Sequence, residues 1–185
     1  MVGDDQRRLV DGILQANEWF MGLLTAVRTC DPPDWYIGTG AIRTIVWDYL
    51  HGAHVDVGFF DPHDLRPARD AAMEAELHAL RPDVPWEAKN QAAVHLWYER
   101  VFGYPVAPLT SCVDAIGTFP ETVTSIGVRL LDNQCLELAA PNGLNDLLNM
   151  VLRRNPRRVT LEPFLQRLAE KRVQERWPLV RVVDG

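Results

Sequence analysis

A chain of 185 residues is long enough to bury a substantial core and fits one domain of ordinary size. With 47% hydrophobic and 24% charged residues it is neither disordered nor fibrous. A net charge of −6 argues against a broad electrostatic grip on nucleic acid. Cys30, Cys112 and Cys135 are far apart and odd in number, so they suggest neither a disulfide framework nor a zinc ribbon. The N-terminus lacks the apolar stretch of a signal peptide, and no apolar run nears the roughly 20 residues of a membrane span. A soluble, cytoplasmic protein with reduced thiols and no membrane partner is expected.

Leu9, Ile13, Leu14, Phe20, Leu23, Leu24 and Val27 recur at helical spacing, so residues 5–29 read as one or two amphipathic helices. The break "CDPPD" follows, then a short strand at 35–38, a tight Gly-Thr-Gly turn at 38–40, and a helix over 41–52 stopped at Gly52. "HVDVGFFD" reads as a strand with His54 and Asp56 on one face and Val55 and Val57 on the other. A helix over 68–80, a strand from 84 running into a helix at 91–102, and a short helix capped by Thr110 or Ser111 come next. Residues 123–141 read as a hairpin turning at Asp132-Asn133, and 144–152 and 160–175 as helices. The expected architecture is α+β over 1–185 as a single domain. A small mixed sheet is flanked by helices, with an N-terminal helical segment at 1–30 and C-terminal helices at 143–185.

A strand, a Gly-Thr-Gly turn and a helix can hold phosphate, because glycines let the backbone approach an anion and the helix N-terminus supplies free N–H groups. This one is not a Walker A loop, since no GK[ST] follows, and Arg43 stands where the dinucleotide fingerprint needs its last glycine. A glycine turn followed on the next strand by acidic residues is the ground plan of nucleotidyltransferases related to DNA polymerase beta. There the turn holds the nucleotide phosphates, and strand carboxylates hold divalent ions.

The blocks "WYIGTGAIRTIVWDYLHG", "HVDVGFFD", "WEAKNQAAVH", "FPETVTSIGVRL" and "APNGLNDLL", in that order, resemble a bacterial family of small nucleotidyltransferases in the polymerase beta superfamily. The resemblance covers roughly 34–180. It implies a nucleoside triphosphate donor, a divalent metal (magnesium or manganese) and an acceptor that it does not name. By that resemblance Gly38, Thr39 and Gly40 lie at the triphosphate with Arg43 on the following helix. Asp56 is the second of the paired strand carboxylates, and Asp61 closes the same block. Lys89, with Asn90 and Gln91, falls in the "KNQ" block and would offset phosphate charge, while Glu87 would approach the metals if its strand neighbours that of Asp56. Glu121, Asn145 and Asp146 fall in later blocks without a derived role, and His95 ends the "KNQ" block.

Two departures from the family pattern stand out. Its usual Asp-hydrophobic-Asp is His54-Val55-Asp56 here, and the preceding loop is shortened to Ala53. Magnesium takes oxygen ligands, whereas imidazole suits manganese, zinc or iron better. Three functional readings of His54 follow: a ligand for a softer metal, a general acid or base supported by Asp56, or the mark of a site that binds without reacting. The alternatives to nucleotidyl transfer are therefore metal-independent acid–base catalysis on a small molecule in a biosynthetic pathway, and a non-catalytic nucleotide-binding module. Arg153, Arg154, Arg157 and Arg158 form a local basic patch. It reads as a solvated helix end, or as a contact for a phosphate-rich acceptor such as RNA.

Overall fold

The computed structural model describes residues 3–38, 42 and 55–184. Thr39, Gly40, Arg43, His51 and His54, and the helix expected over 41–52 apart from the buried Ile42, lie outside the described residues.

The expected N-terminal helical segment is two helices, α1 (Asp4–Gln15) and α2 (Glu18–Cys30). They are separate because Asn17 caps the second, its Oδ1 accepting from the Phe20 N–H at 3.0 Å. Asp31, with φ of 48°, ends it in the left-handed region. Strand β1 (Tyr36–Gly38) and strand β2 (Val55–Phe59) pair antiparallel. Helix α3 (Pro67–Leu80) then crosses over to β3 (Trp86–Asn90), which pairs parallel to β2. A 3-10 turn (Gln91–Ala93) leads into α4 (Val94–Phe102), stopped by Gly103 at φ of 82°. The short α5 (Cys112–Ile116) is capped by Ser111, whose Oγ accepts from the Asp114 N–H. Strands β4 (Gly127–Leu130) and β5 (Leu136–Ala139) form the expected hairpin, with Gln134 at φ of 65° in its turn. The sheet order is β3-β2-β1-β4-β5, a mixed sheet as expected.

One face of this sheet is apolar and one is not, as the period of two requires. Ile37, Val55, Val57, Phe59, Ala88, Val128 and Leu130 point into the main core, where they meet Phe20, Leu23, Leu24 and Val27 of α2. On the opposite face α5 packs against Tyr36, with Phe60 and Phe119 alongside. Gly127 makes that packing possible, because a Cβ there would lie 2.9 Å from Tyr36 Cβ and 2.5 Å from Ile116 Cδ1. The same face carries a polar network. The Tyr36 hydroxyl donates to Glu137 at 2.7 Å, and Arg129 pairs with Glu137 at 2.8 Å while lying over the Tyr36 ring.

Strand β3 is an edge strand, and its outward N–H groups are not left open. Ala88 N–H donates to Glu74 Oε1 at 3.1 Å and Asn90 N–H to Asp70 Oδ1 at 2.8 Å, both acceptors being on α3. Covering an edge in this way prevents another strand from pairing with it.

The C-terminal part departs from the expected helices. Helix α6 (Asn145–Leu148) ends where Met150 takes φ of 51°. The next residues form β6 (Val151–Arg153), parallel to β7 (Arg181–Val183). The pairing joins segments thirty residues apart, so local periodicity around 144–152 carried no trace of it. Between them α7 (Leu161–Lys171) and α8 (Val173–Arg176) are separated by Arg172 at φ of 48°. Glu121, almost fully buried, fastens α7 to the body. Its Oε1 takes Arg167 Nε at 2.6 Å, and its Oε2 accepts from Thr124 Oγ1 at 2.9 Å. Asp146 likewise accepts from Thr122 Oγ1 and Arg153 Nε.

Removing Arg167 strands a buried carboxylate, which for a fully buried pair costs roughly 3–5 kcal/mol. Arg167 is partly exposed, so Arg167→Leu is expected to lose about 2–3 kcal/mol in urea unfolding, with an unchanged m-value. A loss under about 0.5 kcal/mol would show that the pair contributes nothing. Burial alone would raise the Glu137 pKa, but hydrogen bonds from Tyr36 and Arg129 outweigh it and hold the carboxyl below 4.5. Its stabilisation is therefore complete above the ordinary value and lost as pH falls through the lowered one. Glu137→Gln should flatten that acid limb of a stability–pH profile, and an unaltered limb would refute the assignment.

Candidate functional site

The parallel register of β2 and β3 matches Asp56 with Glu87. Neighbouring strands lie about 4.8 Å apart and register partners project to the same face, so these two carboxylates sit side by side on the face opposite the main core. Asp56 is half-buried and Glu87 exposed. Adjacency of these strands was the condition on which the role of Glu87 rested, and the fold meets it. Strand β1 runs the other way, with Tyr36 opposite Gly58 and Ile37 opposite Val57. One further step in that register sets Gly38, the last residue of β1, across from Asp56 and so beside the carboxylate pair.

Gly38 has room for a side chain. A Cβ there would meet the Ile126 carbonyl oxygen at 3.4 Å and Phe119 Cε2 at 3.5 Å, ordinary contacts. Packing therefore does not demand glycine at this position.

Asp61 and Lys89 are engaged elsewhere. Asp61 follows the far end of β2 and caps its loop, accepting from the His63 N–H at 3.1 Å and from Arg69 Nε at 3.2 Å. Partial burial would raise its pKa, but these hydrogen bonds prevail and hold the carboxyl below its usual value. Lys89 Nζ lies 3.7 Å from Glu74 and 4.0 Å from Asp70, so its charge is shared with the acids that cover the sheet edge. Among the described residues no three His, Cys, Asp or Glu side chains are grouped to hold a metal ion. Asp56 and Glu87 are both hard oxygen donors of the type a magnesium or manganese ion takes, and two carboxylates alone would supply only part of such an ion's coordination sphere.

Asn90 of the "KNQ" block has a structural task. Its Oδ1 accepts from the Asp61 and Ala92 N–H groups, and its Nδ2 donates to the carbonyls of Asp61 and Asp64. His95 opens α4 with Nδ1 buried and without a hydrogen bond. Of the tryptophans, Trp35, Trp86 and Trp177 are buried in the core rather than arrayed for base stacking. The basic patch follows a strand and not a helix end. Arg153 is paired with Asp146, Arg154 with Asp184 and Arg157 with Asp114. The roles of Asp70 and Glu74 as edge caps were missed from sequence. Their only local signal is acidic residues four apart on one helix face.

Residues 25–182 match the family described as Nucleotidyltransferase. The chain belongs to this nucleotidyltransferase family. No match was found among curated proteins. A solved structure described as "The NMR structure of the protein reveals a CCA-adding enzyme head domain" is similar with a TM-score of 0.80 and 28% identity, covering 95% of each chain. A "tRNA-processing enzyme (apo form I)" gives a TM-score of 0.46 at 14% identity, over 83% of this chain and 37% of its own. The mixed sheet flanked by helices is thus a nucleotidyltransferase head-domain fold, and the chain is a transferase by family. No helix among the described residues is long and apolar enough to cross a membrane.

Because glycine is conformationally costly in a strand and a Cβ fits here, Gly38→Ala should leave the melting temperature within about 3 °C of wild type. A fall of 10 °C in a thermal melt would show that glycine is needed there for packing.

Proposed function

We propose that this nucleotidyltransferase moves a nucleotidyl group from a nucleoside triphosphate to an acceptor, at a site built from the Gly38 turn, Asp56 and Glu87. The observation that carries the reading is the register of β2 with β3. It brings a second carboxylate beside Asp56 at the end of the sheet where β1 finishes at Gly38. On this reading the triphosphate is taken by the Gly38-Thr39-Gly40 motif, and the absence of a side chain at Gly38 lets phosphate approach the chain closely. Arg43 adds positive charge on the same segment. Asp56 and Glu87 would hold a divalent ion, with His54 in place of the family's first carboxylate.

When bound, such an ion neutralises charge on the transferring phosphoryl group and on the leaving pyrophosphate. The protein's own part is to fix the triphosphate against the sheet end, beside Asp56. A histidine in place of one carboxylate removes a negative charge and adds a softer donor, which favours manganese over magnesium. Asp61 and Lys89 act less directly in this scheme: Asp61 holds the loop after β2, and Lys89 balances the acids at the sheet edge.

The test is a thermal-shift titration with the four nucleoside triphosphates, each with manganese, magnesium or EDTA. A ligand at a hundred times its dissociation constant adds about 2.7 kcal/mol, which for a chain of this size is roughly 5–10 °C. Wild type should shift most with manganese, His54→Asp should move the preference to magnesium, and Asp56→Asn should abolish the shift. Gly38→Ala should keep its fold and lose most of it, whereas Asp61→Asn should retain it. Stabilisation that survives EDTA would favour metal-independent chemistry instead, and no response to any nucleotide would refute the proposal.

A further inference from the structure

A concave site whose lining includes neither Asp56 nor Glu87 lies elsewhere on the molecule. It has a volume of about 430 Å³ and is walled by the proline-rich segment after α4, by Asp114 and Thr118, and by the segment 154–160. Arg154, Arg157 and Arg158 line it against one acid, Asp114. Two of the arginines are accounted for. Arg157 Nη2 is 2.6 Å from Asp114 Oδ1, and Arg154 Nε is 2.6 Å from Asp184 Oδ1 while its Nη1 donates to the Val159 carbonyl at 2.9 Å.

Arg158 is different. It is half-buried, its guanidinium lies 4.9 Å from the centre of the Tyr98 ring, and no carboxylate among the described residues forms an ion pair with it. Its main chain is held as well. The Tyr104 hydroxyl donates to its carbonyl at 2.5 Å, and Tyr98 and Tyr104 share a hydrogen bond at 3.1 Å. Burial lowers its pKa and outweighs the opposing influence of Tyr98, Tyr104 and Asp114. A guanidinium stacked on an aromatic ring keeps its five N–H donors in a fixed plane, the arrangement that recognises phosphate. The hydroxyl of Thr160, at the head of α7, makes no capping bond and lines the same space.

We propose that this pocket is a phosphate-binding subsite, occupied by the phosphomonoester of a small acceptor molecule. The proposal rests on the nucleotidyl-transfer reading for the word acceptor, but the binding of phosphate does not. The turn from Gly117 to Phe119 links the two sites. Asn155, between the pocket-lining Arg154 and Pro156, donates through Nδ2 to the carbonyls of Gly117 and Phe119, and the Phe119 ring lies against Gly38. A volume of this size suits a small molecule. Three arginines, two already paired with acids, and a chain of net charge −6 do not suit an extended nucleic-acid backbone.

The experiment is a calorimetric titration of the intact chain with inorganic phosphate, ribose 5-phosphate, and a short single-stranded oligonucleotide lacking terminal phosphate. Phosphate and ribose 5-phosphate should bind saturably, and Arg158→Gln should weaken both at least tenfold. Arg157→Ala, at a more exposed position, should weaken them several-fold and covers the case in which Arg158→Gln fails to fold. Asp114→Asn should tighten them. Asp56→Asn should leave ribose 5-phosphate binding unchanged, so failure of the nucleotide titration with retained phosphate binding would remove the transfer reading and keep the subsite. Absence of saturable binding to wild type, or equal binding by wild type and both arginine variants, would overturn the proposal. Tighter binding of the oligonucleotide than of ribose 5-phosphate would overturn the small-molecule assignment.

Discussion

The parallel pairing of β2 with β3 is the constraint on which the rest of the sheet end depends. A parallel pair needs a crossover element, and α3 supplies it. That helix also carries the two acids that accept from the exposed N–H groups of β3. The pairing is therefore anchored from both sides, by the ladder to β2 and by side chains of α3. A slip of one residue would turn Glu87 to the core face and Ala88 outward. Burial of Trp86, Ala88 and Asn90 on the core side opposes that slip, so the hydrophobic pattern of one face places the carboxylate of the other.

Buried polar groups in this molecule mostly do architectural work. Asn90 makes four hydrogen bonds to the loop after β2 and to the following turn. Glu121 joins α7 to the turn at 122–124, and Asn155 holds the turn at 117–119. Asn90 and Asn155 replace missing backbone partners in irregular segments, where unsatisfied groups would be costly, while Glu121 satisfies side chains of two elements. The candidate chemistry sits on regular strands instead, and irregular segments around it are tied down by these residues. Arg158 breaks the pattern. It is a half-buried cation held over a ring, with no ion pair among the described residues, and that makes it a candidate for binding rather than for architecture.

The two sites also differ in electrostatic character. Asp56 and Glu87 present negative charge at the sheet end, whereas the pocket near α5 is lined by more arginines than acids. On the proposed reading, a cation would sit on one side of the short turn at 117–119 and an anion on the other, which suits joining two phosphate-bearing molecules. The turn's rigidity follows from the two hydrogen bonds of Asn155, which fix its carbonyls from outside.

Much of this was legible in the sequence, for local reasons. The apolar stripe over 5–29 marked α1 and α2, Ser111 was one of two cap candidates for α5, and the period of two in β2 told which residues shared a face with Asp56. These features depend on neighbours within a few positions. The pairing of Asp56 with Glu87 was legible only as a condition, because strand order joins residues 31 positions apart and is decided by packing. The commitments of Asp61 to Arg69 and of Lys89 to Glu74 and Asp70 were not legible, since a charged side chain advertises its chemistry and not its partner. The strand β6, expected as helix, and the pocket around Arg158 depend on contacts with β7, Tyr98 and Tyr104, tens of residues away. Local sequence thus determined the elements and the residue types at the sheet end. Tertiary structure decided which charges meet, because an ion pair or a strand pair is a property of two distant segments at once.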